Sequence, residues 1–241
     1  MASKKILAFS SSRSGNSAFL EIPSLIINDF IGSKPTIIAF IPFADAGNKY
    51  EEYALAVQEG LKNVALKIKV ALPSNAASVI ENCDAILVGG GNTFKLLYDL
   101  YELNLLNLIR EKVNNGSPYI GWSAGSNILA PKISTTNDMP IIEPKSFKAL
   151  GLFPFQINPH YYNKNIAGFN GETRDDRLEE FLKMNPGVSV VGLPEGSYLK
   201  LEEEKFEYFG EEEGALFTSG ENEEGFRKKK IHSAENISFL L

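Results

Sequence analysis

Two stretches decide the fold: residues 85–93, AILVGGGNT, and residues 119–129, YIGWSAGSNIL. Each is a short apolar run, then glycine, then a segment compatible with a helix. A strand that is apolar at nearly every position is buried on both faces, which is the signature of a parallel sheet. Runs of the same kind stand at 5–9 (KILAF), 36–43 (TIIAFIPF) and 66–71 (LKIKVA). Helical patterns fall between them. Over 49–63, Tyr53, Val57, Leu61 and then Val64 recur at spacings of four, four and three, one helix face. The Leu-rich stretch 92–115 reads as two helices, because Glu102–Asn104 interrupts its apolar stripe, and Gly116 and Pro118 end it. This alternation predicts an α/β fold with a mostly parallel sheet and helices on both faces. Ligands in such folds sit outside the carboxyl ends of the strands.

The second half changes character. Residues 152–158 (LFPFQIN) and 188–193 (VSVVGL) read as buried strands, with a helix over Arg174–Met184 between them. Beyond Gly196, the runs 197–201, 206–209 and 215–218 alternate with Glu- and Gly-rich turns and read as a small antiparallel C-terminal appendage. The charge runs 202–204, 211–213 and 228–230 read as solvated turns. There is no internal repeat and no linker, so residues 1–241 are expected to form a single domain.

Composition narrows the function classes. At 44% hydrophobic and 22% charged, the chain is that of an ordinary globular protein. A net charge of −6 argues against a nucleic-acid or anionic-membrane binder. No apolar run approaches the ~18 residues of a membrane span, and the run after Lys4 and Lys5 is short for a signal peptide. One cysteine, Cys83, excludes an internal disulfide and any zinc site built on two or more cysteines; two histidines argue against a histidine-rich metal centre. The expectation is a cytoplasmic protein, with carboxylates leaving a hard-cation site open.

Gly121-Trp122-Ser123-Ala124-Gly125 fits G-x-S-x-G with a strand before and a helix-compatible segment after. This layout lifts a serine hydroxyl above the sheet and aims a helix N-terminus at it, with the Ala124 N–H facing a developing oxyanion. Gly89-Gly90-Gly91-Asn92-Thr93 is not a dinucleotide fingerprint, since glycine would be needed at Phe94. It suits an anion cradle, or a second oxyanion donor from Gly90 or Gly91.

A serine nucleophile needs a base. His232 lies in a Lys-rich tail segment, whereas His160 follows the apolar run 152–158, at the carboxyl end of an expected core strand. The carboxylate that orients it is either Glu195, in Gly-Leu-Pro-Glu-Gly, or Asp138, in Thr-Asn-Asp-Met-Pro; strand-end position favours Glu195. Thr173 and Asp176 form a capping box at the start of the Arg174 helix, which leaves Glu172 and Arg174 unexplained. A cation at a helix start opposes the dipole, and the guanidinium fork suits a carboxylate ligand. Glu172 and Arg174, with Asn92 of the glycine turn, are the substrate-contact candidates.

Taken together, the segments 89–94 (GGGNTF), 121–127 (GWSAGSN), 135–141 (TTNDMPI), 156–160 (QINPH), 171–174 (GETR) and 192–196 (GLPEG) resemble the peptidase E family, the α-aspartyl dipeptidases. They run in order over residues 5–200. The resemblance implies a class I glutamine-amidotransferase-like fold. It implies a serine peptidase, free of cofactors, that cleaves dipeptides with an N-terminal aspartate. It makes Ser123 the nucleophile, His160 the base, Gly91 and Ala124 the oxyanion positions, and Arg174 the ligand of the substrate carboxylate. In the family the acid has been assigned at both of the positions occupied here by Asp138 and Glu195. Members commonly carry a histidine where this chain has Phe169-Asn170. Two other readings compete: a cyanophycinase-like peptidase, and a non-catalytic sensor of small anions or amino acids. A glutaminase would carry cysteine in place of Ser123.

Overall fold

The apolar runs of the first half become five strands: β1 (Ile6–Phe9), β2 (Thr36–Ile41), β3 (Leu66–Val70), β4 (Ala85–Val88) and β5 (Tyr119–Trp122). In the computed structural model, which describes residues 3–34, 36–163, 168, 170–219 and 226–241, they pair in parallel in the order β3-β2-β4-β5-β1. Alternate side chains serve opposite faces. Leu7, Phe9, Ile38, Phe40, Leu87, Ile120 and Trp122 pack with Ile27 and Phe30 of α1 (Glu21–Ile31) and Ala54 and Val57 of α2 (Tyr50–Gly60). Ile6, Ala8, Ala39, Ile41, Ile86, Val88 and Tyr119 face the other core. There they meet α3 (Ala76–Glu81), α4 (Thr93–Glu102), α5 (Leu106–Asn114) and the single turn α6 (Ala124–Asn127). Helices thus cover both faces, and β1, β4 and β5 are buried along their whole length. The break between α4 and α5 falls at Leu103–Leu105, around Asn104 in a left-handed conformation. Two helices, α1 and α3, carried no legible periodic signal: α1 has Pro23 in its first turn, and α3 is under two turns long.

The second half departs from the sequence reading in three ways. First, β6 (Gln156–Pro159) and β7 (Ser189–Leu193) pair in parallel, but in a second sheet of order β11-β10-β7-β6. Residues 152–155, expected as strand, bend ahead of β6. Second, the C-terminal strands form no separate appendage. β8 (Tyr198–Glu202) lies antiparallel along β1, the edge that the parallel set leaves open, and β9 (Lys205–Phe209) and β12 (Glu235–Asn236) follow it. The strands β10 (Gly214–Ser219) and β11 (Phe226–Ile231) extend the second sheet from β7. Third, Lys228–Lys230 is strand, in β11, rather than turn. Its lysines pair with Asp175, Glu235 and Glu213. Among the described residues no strand pairs with the outer edge of β11, and charge on such a strand disfavours edge-to-edge pairing.

The two sheets share one core: Ile157, Val191, Leu193 and Leu216 belong to the same packed cluster as Ile6, Ala8 and Leu199. Helix α7 (Arg174–Met184) packs on the second sheet through Leu178 and Leu182. It begins at the Thr173–Asp176 capping box that its sequence announces. No helix among the described residues is long and apolar enough to cross a membrane.

Candidate active site

Ser123 sits between β5 and α6 at φ 54° and ψ −113°, a strained conformation for a residue with a side chain. The flanking glycines make the turn possible. A Cβ on Gly121 would come 2.6 Å from the Gly125 carbonyl oxygen, and one on Gly125 would come 2.3 Å from that of Val88. The Ser123 N–H donates to the Phe9 carbonyl at 3.1 Å, and Ser126 Oγ donates to the same carbonyl at 2.7 Å. The elbow is therefore fastened to the end of β1.

The Gly89–Gly91 turn lies against this serine: a Cβ on Gly90 would stand 3.0 Å from that of Ser123. Gly91 has φ 134°, and a Cβ there would fall 2.3 Å from the Ala44 oxygen. A hydrogen-bond chain holds the turn, from Trp122 Nε1 to the Tyr53 hydroxyl (3.1 Å) and from that hydroxyl to the Gly90 carbonyl (3.1 Å). Burial pushes the Tyr53 phenol far up, so it stays a neutral donor. The N–H groups of Gly91 and Ala124 have no acceptor among the described residues, which leaves both available to an oxyanion.

His160 follows β6 and Glu195 follows β7; because these strands are parallel neighbours, their carboxyl ends emerge side by side. His160 Nε2 is 2.8 Å from Ser123 Oγ, and His160 Nδ1 is 2.5 Å from Glu195 Oε1. Burial raises the Glu195 carboxyl, but hydrogen bonds from His160 and Ser11 outweigh it and hold the group below the ordinary carboxylate value. An ionised Glu195 draws the imidazole proton to Nδ1, which leaves Nε2 to accept from the serine hydroxyl.

The contact joins side chains from different sheets, and a residue that the sequence reading missed brings them into register. Ser10, fully buried just past β1, accepts from the His160 N–H at 2.9 Å and donates to the Leu193 carbonyl at 2.8 Å. Phe9 thus anchors the serine turn, and the next residue anchors the histidine. His160 itself has φ 54°. The only signal in the sequence was a Ser-rich run, 10–12, of the kind that loops also show.

The other expected site residues lie as follows. Asp138 is engaged elsewhere: its Oδ2 accepts from the Thr93 N–H (2.7 Å) and hydroxyl (2.6 Å), at the N-terminus of α4. Among the described residues no hydrogen bond joins it to His160. Asn92 caps α4, accepting from the Lys95 N–H at 3.0 Å and donating to the Met139 carbonyl at 2.8 Å, so both ends of its amide serve the fold. Glu172 is exposed and lies 3.7 Å from Arg177. Arg174 reaches back to Asn137, with Nη1 donating to Oδ1, and no carboxylate pairs with it among the described residues. Burial, and then the charge of Arg177, lower its pKa, yet a guanidinium stays charged. Phe169 lies outside the described residues. His232 is exposed and faces Glu213. No cluster of three His, Cys, Asp or Glu suited to a metal ion occurs among the described residues.

Comparison with known proteins gives the family. The model of peptidase family S51 matches residues 6–209. A protein named peptidase E from Nostoc sp. is 45% identical over 240 residues, 99% of this chain and 97% of its own length. Peptidase E of Haemophilus influenzae is 47% identical over 83% of this chain and 92% of its own length. Among solved structures, a putative peptidase E protein from Listeria monocytogenes superposes with a TM-score of 0.61 at 22% identity, covering 96% of this chain and all of that one. A peptidase from an acI-B1 actinobacterium superposes with a TM-score of 0.68 at 18% identity, covering 98% and 97%. With a family match across most of its length and relatives above 40% identity, the chain belongs to peptidase family S51.

Proposed function

We propose that this peptidase is a serine dipeptidase that hydrolyses Asp-Xaa dipeptides, with Ser123 as nucleophile, His160 as base and Glu195 as the orienting acid. The observation that carries the reading is the line Ser123 Oγ–His160 Nε2–Glu195, at 2.8 and 2.5 Å. In this mechanism His160 takes the hydroxyl proton as Oγ attacks the scissile carbonyl. The Gly91 and Ala124 N–H groups receive the oxyanion, each donor of this kind being worth about 3 kcal/mol. His160 passes its proton to the leaving amine, which breaks the C–N bond and leaves an acyl-enzyme. Water, deprotonated by His160, then releases aspartate and restores Ser123.

Arg174 is the ligand of the substrate's side-chain carboxylate in this reading, because it is a half-buried cation with no carboxylate of its own among the described residues. Asp138 supports α4, and Glu172 borders the loop before α7. Neither a cofactor nor a metal is needed. The reading also takes the chain as one domain of the class I glutamine-amidotransferase type, working in the cytoplasm on short peptides.

The test is hydrolysis of Asp-Leu beside Glu-Leu, Asn-Leu, Ala-Leu and β-Asp-Leu, with wild type and Ser123→Ala. Loss of a serine nucleophile lowers the rate on the order of 10^4-fold. Selective cleavage of Asp-Leu, abolished in a folded Ser123→Ala protein, is the expected result. Activity unchanged in that variant would sink the mechanism, and a preference for the β-linked substrate would move the chain toward the cyanophycinase-like class.

A further inference from the structure

Arg174 does not stand alone; its guanidinium rests on the side chain of Asn137, a residue with no role assigned so far. The Asn137 amide is held at three points. Its Oδ1 accepts from Arg174 Nη1 and, at 2.7 Å, from Asn158 Nδ2. Its Nδ2 donates to the Pro159 carbonyl at 2.7 Å. Asn158 is buried, and its Nδ2 also donates to the Thr135 carbonyl at 2.7 Å, which settles which end of that amide faces Asn137. The Asn137 amide therefore cannot turn over: a flip would put an NH2 group against two donors and a carbonyl oxygen against another. The oxygen end is locked toward the arginine.

Two consequences follow from chemistry. A neutral acceptor orients the guanidinium without cancelling its charge, so the positive end remains unbalanced until an anionic ligand arrives. An aspartate at the same place would supply the balancing charge itself. The amide also bonds to the carbonyl of Pro159, the residue before His160, and thus links the arginine to the base through one rigid side chain.

Building on the proposed aspartyl-dipeptidase reading, we infer that Asn137 is the positioning residue for substrate specificity. It holds Arg174 at a set offset from His160 and keeps its charge free for the substrate carboxylate. That offset makes the site a gauge of side-chain length as well as of charge. It separates aspartyl from glutamyl substrates through position and from asparaginyl ones through charge.

The experiment compares kcat/KM for Asp-Leu, Asn-Leu and Glu-Leu in wild type, Asn137→Asp, Asn137→Ser and Arg174→Met, with folding checked by thermal unfolding. Asn137→Asp is expected to reduce the Asp-Leu to Asn-Leu ratio at least 10-fold, through a raised KM for Asp-Leu and little change for Asn-Leu. Asn137→Ser, shorter but still an acceptor, is expected to reduce the Asp-Leu to Glu-Leu ratio several-fold while largely keeping the discrimination against Asn-Leu. A merely structural role would lower all three substrates alike and leave both ratios standing. Ratios within twofold of wild type in a folded Asn137→Asp protein overturn the inference. Should that variant not fold, an unchanged Asp-Leu to Glu-Leu ratio in Asn137→Ser overturns it instead. Arg174→Met separates the two levels. If it loses the Asp-Leu preference while the Asn137 variants keep it, the clamp is wrong and the substrate reading stands. If it also keeps the preference, Arg174 is not the ligand of the substrate carboxylate and the inference falls with that assignment, whereas a wild type that does not prefer Asp-Leu fails the substrate reading itself.

Discussion

Replacing Ser10 by alanine removes one oxygen from the seam between the two sheets, and the cost follows from what that oxygen touches. The side chain is fully buried, accepts from the His160 N–H at 2.9 Å and donates to the Leu193 carbonyl at 2.8 Å. The Leu193 oxygen keeps a second donor, the Tyr161 N–H at 2.8 Å, so it stays satisfied. The His160 N–H has no replacement, and a buried donor left unpaired costs about 1–3 kcal/mol. In a chain of this size about 2 kcal/mol corresponds to a fall in Tm of roughly 4–8 °C. The catalytic effect is expected to be larger than this loss of stability suggests. His160 is held at φ 54°, a conformation that a residue with a side chain leaves when released. Its ring must keep 2.8 Å to Ser123 Oγ and 2.5 Å to Glu195 together, and a displacement near 1 Å costs on the order of 100-fold in rate. Ser10→Ala is therefore expected to lower kcat for Asp-Leu by about 10- to 100-fold with KM nearly unchanged, since Arg174 and the glycine turn are untouched. Calorimetry and steady-state kinetics on the same preparation make the assay, with the partly exposed Ser24→Ala as control. A Ser10→Ala enzyme with wild-type kcat and Tm would refute the claim that this hydroxyl holds the base in register.

Three further outcomes are expected. Asp138→Ala removes the carboxylate that accepts from Thr93 at the start of α4, lowering stability by about 1–2 kcal/mol in thermal unfolding; the folded fraction keeps its kcat, whereas Glu195→Gln loses it, and the reverse pattern would make Asp138 the acid. Gly91→Ala places a methyl 2.3 Å from the Ala44 oxygen at φ 134°, so hydrolysis by the purified variant should fall at least 100-fold or soluble protein should be lost; a variant as active and stable as wild type would show the turn to be pliant. Glu202, the last residue of β8, tends upward through burial, but hydrogen bonds from Lys200 and Lys5 outweigh this and hold its pKa below the ordinary value. A lowered carboxyl stabilises the fold fully above its unfolded pKa, so the stability gap between wild type and Glu202→Gln should be constant at neutral pH and close as pH falls through the folded value below about 4.5; a gap that instead opens in acid would reverse the sign.

What was legible from residues alone was local. Apolar runs such as 85–88 read as buried strands because both their faces are covered, and G-x-S-x-G read as an elbow because sterics at Gly121 and Gly125 demand it. The capping box of α7 was equally plain, since its bonds close within four residues. The helices α1 and α3 were not, because Pro23 and short length erase periodicity.

The candidate site shows the same division. The G-x-S-x-G pattern marked Ser123, the setting aside of His232 left His160, and strand-end position favoured Glu195. The choice between Glu195 and Asp138 stayed open, because both are carboxylates in loops and their chain positions do not say which one meets an imidazole. It took the parallel pairing of β6 with β7 to bring residue 195 beside residue 160, and the N-terminus of α4 to claim Asp138. Of the C-terminal strands, β8, β9 and β10 were legible as strands but not as members of two different sheets, because a period-2 pattern says which face is buried and nothing about which edge is free; β11, with its run of lysines, read as a turn. The sequence by itself determined most of the elements, the elbow and the list of reactive side chains, since these depend on contacts a few residues apart. The tertiary structure decided which sheet each strand joined, that Ser10 anchors His160, and that Asn137 holds Arg174, because such contacts join residues far apart in the chain, 150 positions for Ser10 with His160 and 37 for Asn137 with Arg174.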